Sequence, residues 1–119
     1  MLTLADAPLR NAPVVEPSTT LDEVVRLMES DPLRTVALVG DGMYFGLFND
    51  ASLQGNLIPP DIDFSTLEVG PYIHSERVIG TPEMTIDNAR ALMDRRNVRV
   101  IPLVANRIFK GLITREDLG

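Results

Sequence analysis

Apolar and polar positions along this chain follow two periods in turn, and the whole succession occurs twice. Leu21, Val24, Val25 and Met28 fall at i, i+3, i+4 and i+7, which places four side chains on one stripe of a helix. Thr20 and Glu23 bracket its start as a capping box, the hydroxyl taking a free first-turn amide while the glutamate reaches back. Asp31-Pro32 ends it, because proline disfavours helical backbone in the residue before it. Thr35 to Val39 and Met43 to Phe48 are short apolar runs, and Gly40-Asp41-Gly42 between them tolerates positive φ, so the pair predicts a β-hairpin. Val14 and Val15 predict a brief strand, kept short and at an edge by Pro13 and Pro17. Before it, Leu2 to Arg10 reads as a short helical turn ended by Pro8. After the hairpin, Asp50 to Leu57 predicts a second short helix stopped by Pro59-Pro60, and Asp61 to Ser65 a polar connector.

From Thr66 the succession restarts: a turn ending near Ile73, a strand at Val78 and Ile79, and a helix capped by Thr85 with Ile86, Ala89 and Met93 facing inward. A second hairpin of Val100 to Val104 and Arg107 to Ile113 follows, turning at Ala105-Asn106. A shift of 65 positions aligns the copies without a gap. Leu2 meets Leu67, Pro17 meets Pro82, Thr20 meets Thr85, Leu27-Met28 meets Leu92-Met93, Arg34 meets Arg99 and Gly46-Leu47 meets Gly111-Leu112. These identities sit at element starts, turns and core positions, which marks an internal repeat. The expected organisation is a first unit at 1–54, a linker at 55–65 and a second unit at 66–119. Units of this size bury little surface alone, since a chain near 60 residues covers only about 60% of its unfolded surface, so the two are expected to pair.

Composition narrows the function. Hydrophobic residues make up 45% of the chain and the net charge is −6, which describes a soluble globular protein and argues against nucleic acid or an anionic membrane as partner. Cysteine is absent, so neither a disulfide framework nor a thiolate metal site exists. The start MLTLADAPLR lacks the basic and apolar regions of a signal peptide, and no stretch approaches about 18 apolar residues; a cytoplasmic protein is expected, free or part of a larger one. No enzyme constellation is present. His74 is the sole histidine and lies in a turn, no serine sits in a nucleophile elbow, and neither an Asp-x-Asp-x-Asp-Gly loop nor a His-Glu-x-x-His pair occurs. Gly40 to Gly42 is a hairpin turn, since a phosphate loop needs a strand before it, a helix after it and usually a lysine, and Lys110 is the only lysine.

One motif carries chemistry. Gly111 to Leu118, GLITREDL, has a faint twin in Gly46 to Leu53, GLFNDASL. A helix starting after the second hairpin would put Thr114 at its cap and Asp117 one turn on, with both oxygens at one spot near the positive helix end. An ionised carboxylate there accepts from both hydroxyls of a vicinal diol, and the helix end favours a phosphate. Helix capping alone explains the same spacing. In the twin, Asn49 stands for the threonine and Ser52 for the aspartate; Asp50 would project roughly 200° around a helix from Ser52 and does not substitute.

The order of elements resembles a tandem pair of CBS domains, also called a Bateman module, over essentially the whole chain. The resemblance rests on proline before a capped helix (Pro17 to Met28, Pro82 to Met93), an apolar strand with Pro102-Leu103-Val104, a tight turn, and Gly-apolar-apolar-Thr-x-x-Asp at Gly111 to Asp117. It implies an α/β (α+β) fold of two pseudo-twofold β-α-β-β-α units packed through their sheets, with a further helix after Leu118. It also implies a regulatory, non-enzymatic module without an obligatory cofactor, which senses AMP, ADP or ATP in a cleft between units and forms a homodimer. Carried over by position, the ligand residues are Thr114 and Asp117, Arg99 and Val100, then Pro8, Asn11 and Pro13, and Leu33, Arg34 and Thr35. Asn11 would read a purine edge and the arginines would meet phosphates, although each arginine stem could simply cover the apolar edge of a strand. A ligand-free dimerisation or interaction domain of a larger enzyme or transporter assembly is the alternative.

Overall fold

A computed structural model describes residues 1–55, 61–73 and 78–119. Expectations at Leu57, Pro59-Pro60 and His74 lie outside the described residues. Packing divides the chain into two compact units, one of Met1–Asn11 with Val78–Gly119 and one of Ala12–Arg77. Each unit therefore combines the body of one sequence copy with the leading segment of the other.

In Ala12–Arg77 the elements are β1 (Val14–Val15), α1 (Leu21–Ser30), β2 (Thr35–Gly40), β3 (Met43–Asn49) and α2 (Asp50–Gly55), followed by single 3-10 turns at Phe64–Thr66 and Gly70–Tyr72. The sheet order is β1-β2-β3, with β1 parallel and β3 antiparallel to β2. The helical stripe is seated as its period demands: Leu21, Val24 and Met28 are fully buried in one cluster with Val36, Leu38, Phe48 and Val69, and Val25 packs at its edge. Asp41 and Gly42 turn the hairpin with φ of 50° and 76°, the left-handed pair that a two-residue loop needs.

The capping box at Thr20 and Glu23 does not form. Thr20 has extended cap geometry but its hydroxyl takes no amide. Glu23 turns along the helix to Arg26 at 3.9 Å. The Leu21 amide donates to the Leu67 carbonyl at 2.8 Å, as Ile86 does to Leu2 at 3.1 Å in the second copy. Thr85 does cap α3, its hydroxyl accepting from the Asn88 amide at 3.1 Å. Thr85→Ala is accordingly expected to cost about 1 kcal/mol in urea denaturation, and Thr20→Ala a few tenths at most.

The other unit contains α3 (Ile86–Arg96), β4 (Val100–Ala105) and β5 (Ile108–Thr114), with 3-10 turns at Leu4–Asp6 and Glu116–Leu118. Strands β4 and β5 are antiparallel. Their turn falls at Asn106 and Arg107, with φ of 51° and 66°, one position later than expected, because Ala105 still pairs with Ile108. Asn97 ends α3 in the left-handed conformation, φ 55°. Leu4, Ala89, Met93, Ile101, Leu103, Ile113 and Leu118 form the core.

The strand expected at Val78 and Ile79 is reduced to one parallel bridge between Gly80 and Leu103, which is the register of Val15 with Leu38 moved on by one repeat. The cause is Pro102: Ala37 at the matched position of the first copy donates its amide to the Pro13 carbonyl at 2.9 Å, and a proline has no amide to give Val78. Gly80 itself leaves room for Leu4, whose Cδ1 would lie 2.6 Å from a Cβ there. Leu4 and its repeat counterpart Val69 are both fully buried. The larger side chain thus goes with glycine beneath it, and the smaller one with Val15. Where a helix is expected to start after the second hairpin, with Thr114 at its cap, the described residues form the 3-10 turn Glu116–Leu118. A single turn of this kind lacks the aligned peptides of a helix end, so the phosphate preference derived from one does not apply. Among the described residues no helix is long and apolar enough to cross a membrane.

Candidate functional site

Gly111 is where the site begins. It adopts φ 150°, and a Cβ there would sit 3.2 Å from the Arg10 carbonyl oxygen and 3.3 Å from Leu9 Cβ. The leading segment can therefore lie directly on β5, where Arg10 and Leu112 exchange both amide-to-carbonyl bonds at 2.8 Å. That bridge aims the Arg10 side chain at Asp117: Nε donates to Oδ2 at 2.8 Å and Nη2 to Oδ1 at 2.9 Å, a two-pronged ion pair. The Asp117 amide donates to Thr114 Oγ1 at 3.2 Å, so Thr114, nearly buried at the end of β5, caps the turn that carries the carboxylate. Leu118 anchors the turn in the core. Arg10 first, then Thr114, hold the Asp117 carboxyl below the usual carboxylate range, while Asp117 raises Arg10. An open cavity of about 580 Å³ runs past this carboxylate, with Asp6, Pro8, Ile86, Asp87 and Arg90 along its walls.

Four further expected residues lie in the same unit. Val100 is the register partner of Thr114, and Arg99 precedes it, its carbonyl accepting from the Arg115 amide at 2.8 Å. Pro8 and Asn11 are exposed on either side of Arg10. Arg115 is held by Asp94 at 3.0 and 3.2 Å, and that contact keeps the Asp94 carboxyl low.

Pro13, Leu33, Arg34 and Thr35 lie in the other unit, and most of their polar atoms are already engaged. The Pro13 carbonyl accepts from Ala37 at 2.9 Å. Asp31 Oδ2 accepts from the Leu33 and Thr35 amides at 3.1 and 3.2 Å, and Thr35 Oγ1 donates to the Leu33 carbonyl at 2.9 Å. Arg34, with φ 50°, grips Asp50 through two bonds of 2.7 and 2.9 Å, and its guanidinium holds that carboxyl low. The repeat counterpart of Asp50 is Arg115, so the matched arginines differ: Arg34 has a carboxylate, and Arg99 forms no ion pair among the described residues.

The twin motif is a cap. Asn49 Oδ1 accepts from the Ala51 and Ser52 amides at 3.0 and 3.3 Å, and the buried Ser52 hydroxyl accepts from the Asn49 amide at 3.1 Å. No carboxylate occupies the Ser52 position, and Asp50 faces Arg34 as its helical angle requires. No three His, Cys, Asp or Glu side chains among the described residues could hold a metal. Sequence reasoning missed Arg10, which lies 107 positions from its partner; its only sequence signal is its place between Pro8 and Asn11.

Comparison with known proteins agrees with this architecture. The CBS domain family model matches twice, at residues 4–56 and 72–118. The CBS domain-containing protein YhcV of Bacillus subtilis is 25% identical over 119 residues, all of this chain and 84% of that protein. CBSX2, solved in complex with AMP, superposes with a TM-score of 0.81 at 21% identity, covering 99% of this chain and 93% of that one. A CBS domain protein of Thermoplasma acidophilum, TA0289, superposes with a TM-score of 0.82 at 17% identity, covering 98% and 67%. With two family matches that together span most of the sequence and follow its internal repeat, this chain belongs to the CBS domain family.

Proposed function

We propose that the protein is a regulatory module that senses an adenine nucleotide, AMP, ADP or ATP, through Thr114 and Asp117. The observation that carries this reading is the Asp117 carboxylate, recessed beside an open cavity with side-chain exposure of 15% and held ionised at the end of β5. Such a group suits the two ribose hydroxyls, since a carboxylate accepts both without a proton of its own. The AMP complex of the similarly folded CBSX2 supports the choice of ligand. Around this centre the reading assigns Arg99 and Val100, Pro8 and Asn11, and from the other unit Pro13, Leu33, Arg34 and Thr35. No reaction and no obligatory cofactor enter it; the protein works in the cytoplasm as a homodimer, and ligand binding shifts the balance of two arrangements by its differential affinity for them.

Calorimetric titration with AMP, ADP and ATP tests the reading. Saturable heat from at least one of them, with a dissociation constant below about 1 mM, is expected; that corresponds to only about 4 kcal/mol of binding. Heat absent at millimolar nucleotide overturns it and leaves the ligand-free interaction domain. That second reading has an observation of its own in the exposed apolar side chains of Val14, Met43 and Phe45 on the three-stranded sheet.

A further inference from the structure

We propose that Arg10 selects phosphorylated ligands at this site by exchanging the Asp117 carboxylate for a ligand phosphate. The inference rests on the nucleotide reading above and adds a residue and a rule of choice to it. Three observations carry it. The two side chains are unequally placed: Asp117 is 15% exposed and Arg10 53%, so the guanidinium lies over the carboxylate on the solvent side. Both prongs of the pair are short, at 2.8 and 2.9 Å, so the oxygens that a diol would approach are already occupied. The Arg10 backbone is pinned to Leu112 by two bonds of 2.8 Å, so the residue stays beside the site and only its side chain can swing.

A ribose diol arriving at Asp117 must move the guanidinium aside. A nucleoside leaves that cation without a partner. A nucleotide offers it phosphate oxygens, whose geometry a guanidinium matches as well as it matches a carboxylate. One ion pair is thus replaced by another, and the phosphate decides whether the exchange is favourable. The device belongs to the unit of Met1–Asn11 with Val78–Gly119. In the other unit the position of Asp117 is Ser52, and the arginine-aspartate pair there, Arg34 with Asp50, has its carboxylate on the other side of the turn.

Arg10→Gln tests the exchange, with adenosine and AMP titrated against the native protein and the variant. Because Arg10 is exposed, the variant is expected to fold, with a melting temperature within a few degrees of the native one. Adenosine is expected to bind roughly two- to fivefold more tightly to Arg10→Gln, as an exposed ion pair no longer has to be broken. AMP is expected to bind at least about tenfold more weakly, for loss of a charged hydrogen-bond partner. Arg10→Lys, which keeps the charge without the fork, should fall between the two for AMP. Equal weakening of both ligands would make Arg10 a positioning residue and overturn the exchange, as would an unchanged preference. Both outcomes leave the nucleotide reading standing, whereas failure of AMP, ADP and ATP alike to bind the native protein removes that reading and the exchange together.

Discussion

Leu4→Ala is expected to remove about 2–5 kcal/mol of folding stability, a large share of the 5–15 kcal/mol typical of a folded domain. Leu4 is fully buried and packs in one cluster with Ala89, Met93, Ile101, Leu103, Ile113 and Leu118. Its amide donates to the Met84 carbonyl at 2.8 Å and the next amide to Pro82 at 3.2 Å, so the segment is held by backbone as well as by burial. Collapse of the surroundings could refill little of the vacated space, because Gly80 beneath it has no side chain to move in. Leu2, 64% exposed, is the control: Leu2→Ala should change stability by no more than about 0.5 kcal/mol. Urea denaturation followed by circular dichroism reads both. A Leu4→Ala midpoint equal to that of Leu2→Ala would mean that the leading segment is not docked on α3 and β4.

What the sequence made legible was whatever local pattern decides. The stripe Leu21, Val24, Met28 and the hairpin at Asp41-Gly42 follow from side-chain period and turn chemistry, and both are present. The repeat located Thr114 and Asp117 at the end of a strand, and showed that Asn49 and Ser52, which form a cap, lack the matching carboxylate. What failed did so where a distant residue overrides the local signal. The strand at Val78-Ile79 loses its ladder to Pro102, which has no amide to donate, whereas Ala37 at the matched position bonds the Pro13 carbonyl. Arg10 was invisible for the same reason. Nothing near it in the chain says that a glycine one hundred residues later lets its backbone settle on β5. The electrostatic state of the candidate site, unlike its location, is a tertiary property.

Asp117→Ala and Ser52→Ala, at matched positions of the repeat, are expected to fail in opposite ways. Removing the Asp117 carboxylate takes away both acceptors for the ribose hydroxyls, and the loss of two charge-assisted bonds should weaken nucleotide binding at least a hundredfold, beyond the reach of a millimolar titration. The fold should survive, because the Arg10 guanidinium released by the change is more than half exposed and finds water. Ser52→Ala acts on stability instead. Its hydroxyl is fully buried and satisfies the Asn49 amide at 3.1 Å, so truncation leaves a donor unmet in the interior, at a cost of about 1–3 kcal/mol. Nucleotide affinity should be unchanged, since no carboxylate stands at that position to hold a sugar. Melting curves and AMP titrations of the two variants therefore form a crossed pair. Binding retained in Asp117→Ala, or lost in a folded Ser52→Ala, would move the ligand from the second copy to the first and remove Asp117 from its recognition.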